Sequence, residues 1–245
     1  MKILITSREP LDLYEEQTYE VQGLSVDAST VDQLAVPSPE DEEKTQHAGV
    51  EVLSAAETLF YHQLARVRPE LTFAQFSHAD RTSVTAICRL VEGMPLALEL
   101  AATQLRTVTL TELVAGLQQN LDLLKVRWRG AHQRHQSMRA VIDASVQTLG
   151  EAEQIYLARL ALFQGAFSAA SAQAVAGASA DVLDTLLRKS LLRHSGSDHA
   201  NTQRFDLHTL IRQYAAEVLA TLPTEAAQTA ERYCRYYADR LRDGM

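Results

Sequence analysis

The chain has 245 residues, of which 46% are hydrophobic, and a formal net charge of -8. Such a length holds one large domain or two small ones, and with only 10 Gly and 6 Pro the composition excludes a wholly disordered chain. The acidic balance argues against direct nucleic-acid binding, because a phosphate backbone attracts positive surface; the only dense basic stretch is Lys125 to Arg139.

Two distant cysteines, Cys88 and Cys234, argue against a disulfide framework or a thiolate zinc site and read as buried or half-buried thiols in a reducing cytosol. No run approaches the ~20 apolar residues of a membrane span, and the N-terminus lacks a signal-peptide pattern. A cytoplasmic, membrane-free protein is expected.

In chain order, Lys2 to Thr6 is an apolar, β-branched-rich run closed by Pro10. It reads as a buried strand, and such strands need neighbours on both sides. The rest of the chain offers only Tyr19 to Gln22, so most of that sheet is expected to be missing. Ser25 to Gly49 is polar and acidic and reads as an exposed loop.

Helical periodicity then predicts helices over Val50 to Arg66, Asp80 to Val91, Leu96 to Leu105 and Thr109 to about Gln118. Gly93 ends the second and Pro95 opens the third, while Thr109-Leu110-Thr111-Glu112 carries a capping signal. Four short helices with short links make a small helical subdomain.

Further helices are predicted at Ser137 to Leu149, Glu151 to Phe163, Ser168 to Ala176 and Ala180 to Ser190. Leu191 to His194 and Arg204 to His208 flank a Gly/Ser/Asp/Asn-rich connection, a hairpin signal. With an amphipathic helix over Thr209 to Ala220, this is the outline of a winged helix. Thr224 to Arg242 reads as one more helix, with Tyr233, Tyr236 and Tyr237 on its apolar side, and fits the start of a helical repeat array.

Four ordered segments resemble the bacterial branch of the STAND class of signalling NTPases, relatives of the NB-ARC proteins found in many bacterial transcriptional regulators. They are Ile3-Leu4-Ile5-Thr6-Ser7-Arg8-Glu9, Glu92-Gly93-Met94-Pro95-Leu96-Ala97-Leu98-Glu99-Leu100-Ala101-Ala102, Arg134-His135-Gln136-Ser137-Met138-Arg139, and Phe205-Asp206-Leu207-His208-Thr209-Leu210-Ile211-Arg212-Gln213-Tyr214-Ala215. The resemblance implies a mainly α chain: residues 1–25 as the remnant of a P-loop α/β core, 50–125 as a helical lid, 126–222 as a winged helix, and 223–245 as a C-terminal helix.

It also implies a nucleotide-binding set of Arg8, Gly93, Pro95, Leu96 and His208. Arg8, just past a strand end, would read the terminal phosphate with its guanidinium fork. Gly93 would permit close backbone approach, with the Pro95 ring and Leu96 packing on the base. His208, ahead of a helix N-terminus, would donate to a phosphate. It stands in Leu207-His208-Thr209, where the family's motif has Met-His-Asp, so the acidic partner is absent. Arg134 and His135 would contact phosphate or core.

No Gly-x-x-x-x-Gly-Lys-Ser/Thr run is present, so this chain is expected to be non-catalytic and to bind no cofactor by itself. ADP or ATP with Mg would bind only in a longer parent supplying the missing NTPase core, with a C-terminal helical-repeat sensor as a further partner. The expected function is a nucleotide-sensing regulatory segment. The alternatives are a winged-helix DNA-binding transcriptional regulator and a helical protein-interaction module.

Overall fold

A computed structural model describes residues 3–7, 9–27, 52–71, 73–125, 137–197 and 202–243. Contacts divide the chain into two compact units, residues 21–138 and residues 1–20 with 139–245. The fold is mainly helical.

The first unit is a helical bundle of α1 (Ala55–Val67), α2 (His78–Leu90), α3 (Pro95–Gln104) and α4 (Leu110–Leu117). Reciprocal capping boxes start three of them, Ser54 with Glu57, Ser77 with Asp80 and Thr109 with Glu112. α3 has no side-chain cap and begins instead with Pro95 in its first turn. It is buried nearly all round, with Ala97, Leu98, Leu100, Ala101 and Ala102 fully enclosed beside Phe60, Val84, Ile87 and Leu113. Cys88 sits in this core, where burial pushes its thiol up to about 12. Cys234 is exposed, contrary to the expectation of two shielded thiols.

Residues 21–27 form neither helix nor strand and strap the bundle. Leu24 N–H donates to the Gly93 carbonyl at 2.9 Å, Ala56 N–H to the Ser25 carbonyl at 3.0 Å, and Arg89 pairs with Asp27 at 3.0 Å. These bonds tie the α2–α3 turn to the start of α1.

The second unit holds α5 (Met138–Val146), α6 (Glu151–Leu160), β1 (Phe167–Ser168), α7 (Ala169–Ser171) continued by a π-helical turn (Ala172–Ala176), α8 (Ala180–Arg188), β2 (Arg193–Ser197), β3 (Gln203–Asp206), α9 (Thr209–Ala220) and α10 (Pro223–Asp243). The sheet is antiparallel with order β1-β3-β2, pairing Phe167 with Phe205 and Arg193 with Asp206. Phe163 and Phe167 stack with centroids 4.6 Å apart, flanked by Phe205 and Tyr233. Leu157, Leu160, Leu183, Leu186, Leu207 and Leu210 complete this core.

α10 is locked onto the unit by two arginines that cap the π turn. Arg159 donates to the Ala176 carbonyl at 3.0 Å and pairs with Glu225 at 2.6 Å, and Arg232 donates to the Val175 carbonyl at 2.7 Å.

Of the strand expected over Lys2 to Thr6, residues 3–6 are described, and they pair with no other described residues as a strand. Residues 3–7 join no ladder, and Ile3, Leu4 and Ile5 are 71%, 95% and 56% exposed. Tyr19 to Gln22 likewise joins no ladder, with Tyr19 and Val21 exposed. A β-favouring run becomes a strand only where another strand accepts its hydrogen bonds.

Candidate nucleic-acid interface

Four of the expected site residues are described. Gly93, Pro95 and Leu96 belong to the helical bundle and His208 to the other unit. Arg8, Arg134 and His135 lie outside the described residues.

Gly93 has φ +65°, and a Cβ there would stand 1.9 Å from the Leu24 carbonyl oxygen. Across the contact, a Cβ on Gly23 would meet the Glu92 carbonyl oxygen at 2.3 Å. The close approach that Gly93 permits is therefore taken by the chain itself.

His208 is the N-cap of α9, and its Nδ1 accepts from Leu210 N–H at 3.2 Å. Nδ1 is therefore committed to the helix end, which leaves Nε2 as the ring nitrogen that carries the proton and can donate. Replacing His208 by Ala should cost about 1 kcal/mol of stability, while Asn, which also caps, should restore most of it. Urea denaturation of the three proteins checks this; equal midpoints would remove the capping role.

The second unit presents a different arrangement. Gly177, at φ +76°, ends the π turn in the left-handed conformation, and Ser179 Oγ accepts from Val182 N–H at 3.4 Å to start α8. α8 buries Leu183 and Leu186 and half-buries Val182 and Leu187. Asp181, Asp184 and Arg188, at i, i+3 and i+7, form its exposed stripe. Arg188 and Lys189 are the only cations between Ala180 and Ser190.

Both cations meet carboxylates of the N-terminal segment: Arg188 pairs with Asp12, and Lys189 Nζ lies 3.2 Å from Glu9. The Asp12 hydrogen bond, followed by its charge, raises the Arg188 pKa above its ordinary value.

The β2–β3 ribbon is braced at its base. Asp206 accepts from Arg193 at 2.9 Å and from Arg212 of α9 at 2.5 Å, and Arg212 also donates to the Leu207 carbonyl at 3.1 Å. Toward the tip, Gln203 Nε2 and His194 Nδ1 lie 2.8 Å apart, and Gly196 takes φ +71°. Among the described residues, no group of three His, Cys, Asp or Glu side chains is arranged to hold a metal, and no helix is long and apolar enough to cross a membrane.

Residues 149–220 match the family model of a winged helix-turn-helix domain. The chain is similar to the "Putative HTH-type transcriptional regulator" of Mycobacterium bovis and its counterpart in Mycobacterium tuberculosis, at 34% identity over 226 residues. The match covers 89% of this chain and 22% of each relative. An "Uncharacterized protein" of Mycobacterium tuberculosis is 31% identical over 177 residues, covering 71% of this chain and 37% of that protein. The chain thus spans well under half the length of these curated relatives.

The chain contains a winged helix-turn-helix domain and is homologous to proteins named as transcriptional regulators. These matches overturn the expectation that it does not bind nucleic acid directly. The physical reason is that a net charge of -8 averages over the whole chain, whereas a groove is met by one short helix and one ribbon.

Proposed function

We propose that this chain is the winged helix-turn-helix section of a larger transcriptional regulator, non-enzymatic and cytoplasmic, that docks on duplex DNA through α8 and the β2–β3 wing. The observation that carries this is topological: α6, β1, α7, α8, β2 and β3 follow one another with sheet order β1-β3-β2. In that arrangement the second helix of the turn faces outward beside a two-stranded ribbon.

Arg188 and Lys189 supply the phosphate contacts at one end of α8. Asp184 and Thr185 present groups suited to base edges, a carboxylate accepting from a cytosine amino group among them. With so few cations, affinity for a random duplex should be modest.

Hydrogen-exchange mass spectrometry with and without a short duplex tests this reading. Protection should concentrate in α8 and in β2–β3. Protection confined to the helical bundle, or none at all, would count against it.

A second reading has the helical bundle as a lid over ADP or ATP, with Mg, in a longer protein. Its support is the order of the four motif-bearing segments and the Pro95 start of α3 directly after the Gly93 turn. Pro95, Leu96 and His208 are its described candidates, beside Arg8, Arg134 and His135. Unchanged ADP affinity of the longer protein on Pro95→Ala would remove Pro95 from that site.

A further inference from the structure

We infer that residues 9–16 form an acidic strap over the end of α8, so that duplex DNA and the carboxylates of Glu9 and Asp12 compete for Arg188 and Lys189. The inference rests on the DNA-docking role proposed above and assigns that role a built-in competitor.

Three observations point the same way. First, both cations at the end of α8, Arg188 and the C-cap Lys189, are engaged, and by the same short segment: Asp12 on Arg188 and Glu9 on Lys189. Lys189, whose side chain is only 18% exposed, is the more covered of the two. A carboxylate and a phosphate are both oxyanions, and each meets a guanidinium or ammonium through the same charge-assisted bonds. One cation cannot be fully committed to both.

Second, the strap is built to present its acids. The Glu16 carboxylate closes a loop by accepting from Leu11 N–H at 3.1 Å and from Leu13 N–H at 3.3 Å, and Glu16 N–H donates to the Leu13 carbonyl at 3.0 Å. Asp12 stands inside that loop at φ 56°, a left-handed conformation that Asp tolerates better than most residues.

Third, the strap is not held by burial. Leu11, Leu13 and Tyr14 are 42%, 62% and 104% exposed, so its attachment is mainly electrostatic. Exposed ion pairs are weak and screened by salt. Such a contact yields to a polyanion while lowering its apparent affinity, by the fraction of chains in which the strap is open.

The test compares Glu9→Gln/Asp12→Asn with the unaltered chain by fluorescence anisotropy on a short labelled duplex at low salt. A second pair, Glu15→Gln/Glu20→Gln, changes net charge equally, one position within the strap and one just past it, and among the described residues neither of these acids pairs with Arg188 or Lys189. Each exposed pair is worth a few-fold at most, so the first variant should bind about five-fold tighter, and the control pair should change by less than about two-fold. Acylation of Lys189 by an amine-reactive ester, followed by peptide mass spectrometry, should speed up in the first variant only.

Equal affinity of the first variant and the unaltered chain would overturn the strap while leaving the DNA role intact. Equal tightening by both pairs would also overturn it, since that is a long-range charge effect. If no form binds the duplex, the DNA role itself fails and the competition fails with it, whatever Lys189 labelling reports.

Discussion

Gly93→Ala should be among the most damaging single substitutions in the helical bundle, costing about 2–4 kcal/mol. Two effects combine. The backbone is left-handed there, at φ +65°, which a side chain tolerates only with strain. The added methyl would also stand 1.9 Å from the Leu24 carbonyl oxygen, which is backbone and has no rotamer to escape into. Relief requires residues 21–27 to lift, sacrificing the 2.9 Å bond from Leu24 N–H to the Gly93 carbonyl. Amide exchange in α1, α2 and α3 should accelerate, while α6 to α9 keep their protection. Wild-type exchange throughout α1–α3 would mean that the Gly23–Gly93 contact is dispensable.

Asp206→Ala should be nearly as costly, about 2–3 kcal/mol, because it removes an anion that Arg193 and Arg212 share. The Asp206 and Arg212 side chains are only 16% and 18% exposed, so the orphaned guanidinium would have poor access to water, while Arg193, at 37%, recovers some hydration. The loss should be felt as a looser wing, since Arg193 lies on β2 and Arg212 on α9. Combining Asp206→Ala with Arg212→Met should recover part of the stability, because the stranded charge goes too. Strictly additive losses in the double variant would show that the two residues do not act as a pair.

Much of the fold was legible because it is written locally. The predicted helices have counterparts in α1 to α10, and the change of period after Ser190 marks the β2–β3 ribbon. Helix starts were readable more finely than periodicity alone suggests. Ser54 with Glu57 and Ser77 with Asp80 fix α1 at Ala55 and α2 at His78, where the apolar pattern alone points to Val50 and Asp80.

What escaped was written non-locally. β1 is two residues, Phe167–Ser168, and is a strand only because β3 pairs with it. The Gly23–Gly93 approach joins positions far apart in sequence, and nothing in either local pattern announces it. Ile3 to Ile5 has strand chemistry yet no ladder among the described residues.

The candidate interface was harder still to read. Charge counts per chain say nothing of which carboxylate meets which cation, so the Glu9 and Asp12 pairs with α8 were invisible, as was the commitment of His208 Nδ1 to capping α9. The order of helices and ribbon was in plain view, and that order carries the functional proposal.

The central claim is that Arg188 and Lys189, at the end of α8, make phosphate contacts with duplex DNA. Its most direct test is the salt dependence of binding, measured for the 245-residue chain and for Arg188→Ala/Lys189→Ala. The unaltered chain should give a straight plot of log affinity against log salt with a slope of about -2 to -3, flattened by about 2 in the double variant. No binding at any salt, or the same slope in both proteins, would contradict it.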